Sequence, residues 1–172
     1  KYRQVNIPYH PVTPHALLPF YKTDWFNDLD VLICSSFDVE RYQMEPEKYG
    51  EFIQFYEDIK SKSVLVHEIK PEKYQNGPTV WFYHPAQDTS EYFHTGLLYD
   101  LGTLAETTLV TTFLDRLAFA LFSKGKLQKS EQLMQLAVTF DPTNVRLLKE
   151  LTWTLFKLGK FVSKSSCVIM SS

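Results

Sequence analysis

No apolar stretch in this 172-residue chain is longer than about six residues, the run from Leu117 to Phe122. A bilayer-crossing helix needs about 20, so no membrane insertion by this chain is expected. Charge of one sign is missing too. With 18 basic and 20 acidic side chains the formal net charge is -2, which gives no general attraction for nucleic acid. Basic clusters are short, such as Lys124-Gly-Lys126. Cysteine is limited to Cys34 and Cys167. Cys34 lies inside an apolar run and reads as a small buried hydrophobe rather than a reactive thiol or disulfide partner. The 6 glycines form no Gly-x-Gly-x-x-Gly run, no Gly-rich loop ahead of a Lys-Ser/Thr pair and no Gly-x-Ser-x-Gly elbow. His10 and His15 sit among prolines without further ligands at metal-binding spacing. No metal and no cofactor is expected.

What the chain does have is core material, 44% hydrophobic and 15% aromatic residues. That is enough for one ordinary domain or two small ones. The organising stretch runs from Asp28 to Tyr42. Val31 to Cys34 is a short apolar run, β-branched at Val31 and Ile33, and reads as a buried strand. Ser35 or Ser36 then caps a following helix. An earlier strand is expected over Tyr2 to Ile7, and Pro8, Pro11, Pro14 and Pro19 argue against a long helix after it. Asp24 to Asp28 suits a short helical turn. From Pro46, Tyr49, Phe52, Ile53, Tyr56 and Ile59 recur at helical spacing. Val64 to Ile69 and Thr79 to Tyr83 read as two further strands, and His84 to Ser90 as a boundary.

The second half is helical in period: Leu104 to Phe122, Lys126 to Phe140 and Val145 to Leu158. It also echoes itself. Leu117 pairs with Leu151, Leu121-Phe122 with Leu155-Phe156, Gly125-Lys126 with Gly159-Lys160, and Leu127 with Phe161, each 34 residues apart. This spacing resembles the tetratricopeptide repeat. On that pattern Leu114, Leu117, Ala118 and Leu121 take the first-helix core positions, Met134 and Ala137 the second-helix ones, and Pro142 the closing turn. Ser130 stands where a smaller residue is usual and Leu114 where a large aromatic is. One helical hairpin cannot bury its own apolar face and stacks on a neighbour.

The first half carries its own ordered landmarks. Ser35-Ser36-Phe37 follows the strand, then Arg41-Tyr42, Pro46 with Tyr49, Phe55-Tyr56-Glu57, a Val-x-Glu-Ile strand and Gly77-Pro78-Thr79. Together they resemble the soluble domain that follows the membrane helices in bacterial polyprenyl-phosphate-sugar glycosyltransferases related to the protein mannosyltransferases. The resemblance covers about the first half. It implies an extracytoplasmic accessory domain of a membrane protein, cut from a longer chain, with catalysis residing elsewhere. The implied partners are an acceptor protein or glycan, or another part of the same membrane protein.

The expected fold is α/β: a small Rossmann-like domain of two or three layers over residues 1–86 and a connecting segment at 87–103. An all-α tetratricopeptide-like helical hairpin then covers 104–162, with a tail at 163–172. Two other functions fit the residues. One is a tetratricopeptide-type interaction module with an α/β cap. The other is a small α/β enzyme or ligand-binding domain using the Ser35-Ser36 corner, since α/β ligands bind at the C-terminal ends of strands. Ser35, Ser36, Asp38 and Arg41 are its candidate residues, Arg41 as a phosphate or carboxylate partner. Their structural alternative is a helix cap with a surface ion pair. Trp81, beside Tyr83, could stack a sugar or simply pack. His67 reads as a strand histidine, and Glu45, Glu47, Glu57 and Asp58 as a polar helix face. No catalytic residue is assigned.

Overall fold

The computed structural model describes residues 4–8, 14–72, 77–104 and 107–160. The chain divides into two compact units, Asn6–Leu104 and Ala105–Ser172 with Lys1–Val5. The first is a mixed α/β unit and the second is helical.

In the α/β unit the short apolar run becomes β1 (Leu32–Ser35), followed without a loop by α1 (Ser36–Gln43). Pro46 occupies the first turn of α2 (Pro46–Lys62), where its missing N–H costs nothing. Next come β2 (Val64–Ile69), β3 (Val80–His84) and α3 (Thr95–Gly102), the last within the span read as a connector. The sheet order is β1-β3-β2. Both pairings are antiparallel, Ile33 opposite Phe82 and His67 opposite Phe82. The Rossmann-like expectation, which needs parallel strands, therefore does not hold. β2 and β3 follow one another without an intervening helix, and such a connection makes antiparallel neighbours.

Two further expectations need correction. The apolar run fits a buried strand, yet Ile33 is 66% exposed and within β1 only Cys34 is buried. On one face of the sheet Cys34 and Tyr83 are buried, while β2 is exposed along its whole length. Ile33, Phe82, His67 and Ile69 share the other face. Gln4 to Ile7 forms no strand, having no ladder partner among the described residues. The proline-rich segment holds a 3-10 turn, Pro14–Phe20, and a second follows at Thr23–Trp25. Tyr2, His10, Cys167 and the tail lie outside the described residues.

The aromatic residues form the core of this unit. Tyr42 of α1 stacks on Phe52 of α2 with ring centres 4.8 Å apart. Tyr21 meets Phe52 edge-on at 4.7 Å and Phe55 at 5.3 Å. The Tyr21 and Tyr42 hydroxyls are 3.3 Å apart, so each has a partner inside the core. Trp25 is fully buried and donates its indole N–H to the Pro19 carbonyl at 2.9 Å.

The helical unit consists of α4 (Thr107–Ser123), α5 (Leu127–Phe140) and α6 (Val145–Lys157). Val110, Leu114, Leu117 and Leu121 recur on the buried face of α4, with Leu133, Met134 and Ala137 on α5. The 34-residue echo reappears as backbone geometry. Gly125 and Gly159 both take positive φ, 78° and 69°. The Lys126 and Lys160 amides each donate, at 3.0 Å, to the carbonyls of Leu121 and Leu155. A glycine in the left-handed region with such a bond is a helix stop.

Three substitutions test this account by urea unfolding. Phe52→Ala should cost about 3–5 kcal/mol through the cavity it leaves. Gly50→Ala, within α2 and with open space at its Cβ position, should stabilise by about 0.5–1 kcal/mol. Gly125→Ala has open space too, yet its positive φ should make it destabilising by about 1–2 kcal/mol.

Candidate functional site

The Ser35-Ser36 corner is built as a junction. Ser35 ends β1 in extended backbone, and its Oγ accepts from the Asp38 amide at 3.4 Å while donating to Asp38 Oδ2 at 2.8 Å. That is a helix N-cap closed by its own acidic residue. Ser36 is buried, and it bonds Thr79 twice. Its amide donates to the Thr79 carbonyl at 2.8 Å, and its hydroxyl accepts from the Thr79 amide at 3.1 Å. Two landmarks 43 residues apart thus meet and set the entry of β3. Arg41 lies 3.8 Å from Asp38 Oδ1, with its guanidinium 4.7 Å from the Tyr42 ring centre.

Burial pushes the Cys34 thiol up to about 12, with the Asp38 carboxylate adding to it. A thiol held so far from ionisation is a poor nucleophile. Trp81 donates its indole N–H to Glu68 Oε1 at 3.0 Å. Tyr83 is buried, and burial raises its hydroxyl's pKa first, with the Cys34 and Glu57 charges adding to it. Glu57 is held by Lys60 at 2.7 Å, and Asp58 by Lys62 at 2.6 Å and Gln54 at 2.7 Å. Glu45 pairs with Lys48 at 3.5 Å. His67 lies on the open sheet face, its ring 5.7 Å from Phe82, where a bulge interrupts the register between Leu65 and His67.

Neither of two cavities is lined by a residue of this corner. One of about 510 Å³ in the α/β unit is bordered by Lys22, Asp24, Asp88, His94 and Asp100. The other, about 380 Å³ within the helical unit, is lined by Thr111, Asp115 and Arg116 of α4 and by Arg146 of α6, among others. Here sequence reasoning missed a buried polar group. Asp115 is buried, 8% exposed, and its Oδ2 is ion-paired with Arg146. Arg146 also donates from Nε to Glu150 Oε1 at 3.2 Å. Burial raises the Glu150 carboxyl first, with the Asp115 carboxyl adding to it and Arg146 opposing. The available signal was the repeat itself. At 34-residue spacing Thr112 corresponds to Arg146 and Arg116 to Glu150, so the polar faces of the two helices could have been overlaid.

No family model, curated protein or solved structure matches the chain. Among the described residues no group of acids, histidines and cysteines could hold a metal ion. None of their helices is long and apolar enough to cross a membrane.

The Cys34 environment has a direct consequence. In a Cys167→Ser background at pH 8, alkylation of Cys34 by iodoacetamide should run at least about tenfold slower than in urea. Equal rates would mean that the strand leaves the thiol accessible.

Proposed function

We propose that this chain is a non-catalytic binding portion of a larger protein, an extracytoplasmic accessory region of a polyprenyl-phosphate-sugar membrane glycosyltransferase. It would position an acceptor or partner protein. The observation that carries this is the corner: Ser35, Ser36 and Asp38 are bonded to one another or to Thr79. Arg41 lies on Asp38 and Tyr42. The residues best placed to do chemistry at the end of β1 are the ones that join the strand, α1 and β3. Such a junction suits a scaffold. The family landmarks, from Ser35-Ser36-Phe37 to Gly77-Pro78-Thr79, supply the link to the glycosyltransferases.

A tetratricopeptide-like interaction module is the second reading, favoured by the repeated glycine stops at Gly125 and Gly159. The gene that encodes the chain separates the two. Several apolar segments of about 20 residues upstream support the membrane enzyme, whereas a polar upstream region supports the free-standing module. In the membrane enzyme, deleting this portion should weaken use of a macromolecular acceptor at least about tenfold. Cleavage of the lipid-linked sugar donor by water should persist. Loss of both reactions to the same extent in a correctly inserted protein would place this portion in the chemistry and overturn the proposal.

A further inference from the structure

Beside the helical unit's cavity, the buried Asp115 and the half-buried Glu150 share the exposed guanidinium of Arg146. Arg146 bonds one oxygen of each acid, Oδ2 of Asp115 and Oε1 of Glu150. The remaining oxygens, Asp115 Oδ1 and Glu150 Oε2, are both buried, and among the described residues no group donates to either. An ionised carboxylate is acceptor-only, whereas a protonated one carries a donor. Two carboxylates held on one guanidinium repel when both ionise, and the buried oxygen of each loses hydration without replacement. A single proton removes both costs, because the protonated acid donates to its neighbour. The same contact raises Glu150, through burial and then a hydrogen bond and charge interaction with Asp115.

We propose that Asp115 and Glu150 share one proton, and that this proton is a pH-sensitive latch between α4 and α6 at the edge of the cavity. With the proton in place the trio with Arg146 is neutral; without it the trio carries one negative charge. The other charges nearby leave this balance intact. Arg116 of α4 and Lys149 of α6 are exposed. On α5, Glu131 is engaged by Lys160 at 2.5 Å and by Gln135 at 3.2 Å, and Lys129 is the other charged group of that helix. Asp141, in the turn before α6, accepts from Asn144 and Thr143. Among the described residues, the charges that act on Glu150 are those of Asp115 and Arg146.

A carboxyl group raised in the folded state stabilises the fold most below its unfolded value, here 4.5. That contribution is lost as pH rises through the raised midpoint. Thermal unfolding of the whole chain, followed by helical circular dichroism from pH 4 to 8, tests this. Glu150→Gln supplies a permanent donor. It should raise Tm by about 2–5 °C at pH 8, converge with the parent protein near pH 4 and flatten the profile between them. Parallel profiles for the two proteins would overturn the latch. Carbon-13 NMR titration of the Glu150 carboxyl in the unmodified chain gives a second reading. Its midpoint should lie above 4.5 and fall in Asp115→Asn, whose amide donates to an ionised Glu150. A midpoint at or below the ordinary value would refute the shared proton. Neither measurement depends on the accessory role proposed for the chain.

Discussion

The contact on which the α/β unit depends is the stacking of Tyr42 on Phe52, closed from the side by the edge of Tyr21. These three rings come from α1, α2 and the irregular segment before β1, so one cluster holds three parts of the chain that share no hydrogen-bond ladder. Aromatic rings suit this role because they bury large areas with few rotatable bonds. A three-stranded sheet in which Cys34 and Tyr83 are the buried residues cannot supply comparable burial by itself. The tyrosine content follows from the same constraint. The mutual placement of the Tyr21 and Tyr42 hydroxyls lets polar rings sit where phenylalanine would otherwise be required. Burial raises the Tyr21 hydroxyl further, with the bond to Tyr42 adding to it, which keeps it neutral in the core.

The Ser35-Ser36 corner and the Asp115-Arg146-Glu150 group illustrate two uses of buried polar atoms. At the corner, each polar group meets a backbone amide, carbonyl or carboxylate, and the result is a fixed geometry. In the helical unit two carboxyl oxygens are left without donors, and the arrangement is responsive because a mobile proton completes it. Satisfied networks specify a structure, whereas incompletely satisfied ones retain a degree of freedom.

Much of the local structure was legible in the sequence. Pro46 marked the start of α2, Ser35 or Ser36 the cap of α1, which proves to be Ser35, and the glycines 34 residues apart the ends of α4 and α6. All are short-range effects in which a residue's own backbone or side chain decides the outcome. Strand pairing was not legible. The run Val31 to Cys34 looks alike whether it lies in the middle of a parallel sheet or at the edge of an antiparallel one, and the choice depends on β3, almost 50 residues later. The charged group around Arg146 was missed for a related reason. Arg146 and Glu150 look like an ordinary exposed i, i+4 pair, and the buried Asp115 that Arg146 also binds lies 31 residues earlier, on α4. The reading of Ser35, Ser36, Asp38 and Arg41 named both the ligand site and the cap; the bonds drawn here supply the cap.

The position of β3 between β1 and β2 sets an order of events for a folding chain. Among the described residues β1 pairs with β3 alone, so it stays unpaired until Val80–His84 has turned back onto it, and the sheet closes a long loop at an entropic cost. The helical unit joins neighbours through short turns and needs no such wait. Contact order therefore assigns the two units different clocks. The helices should consolidate first, while β1, already apolar and with Ile33 facing outward, remains an unpaired strand. The interval before β3 arrives is the period in which this chain is most exposed to pairing with another copy of itself.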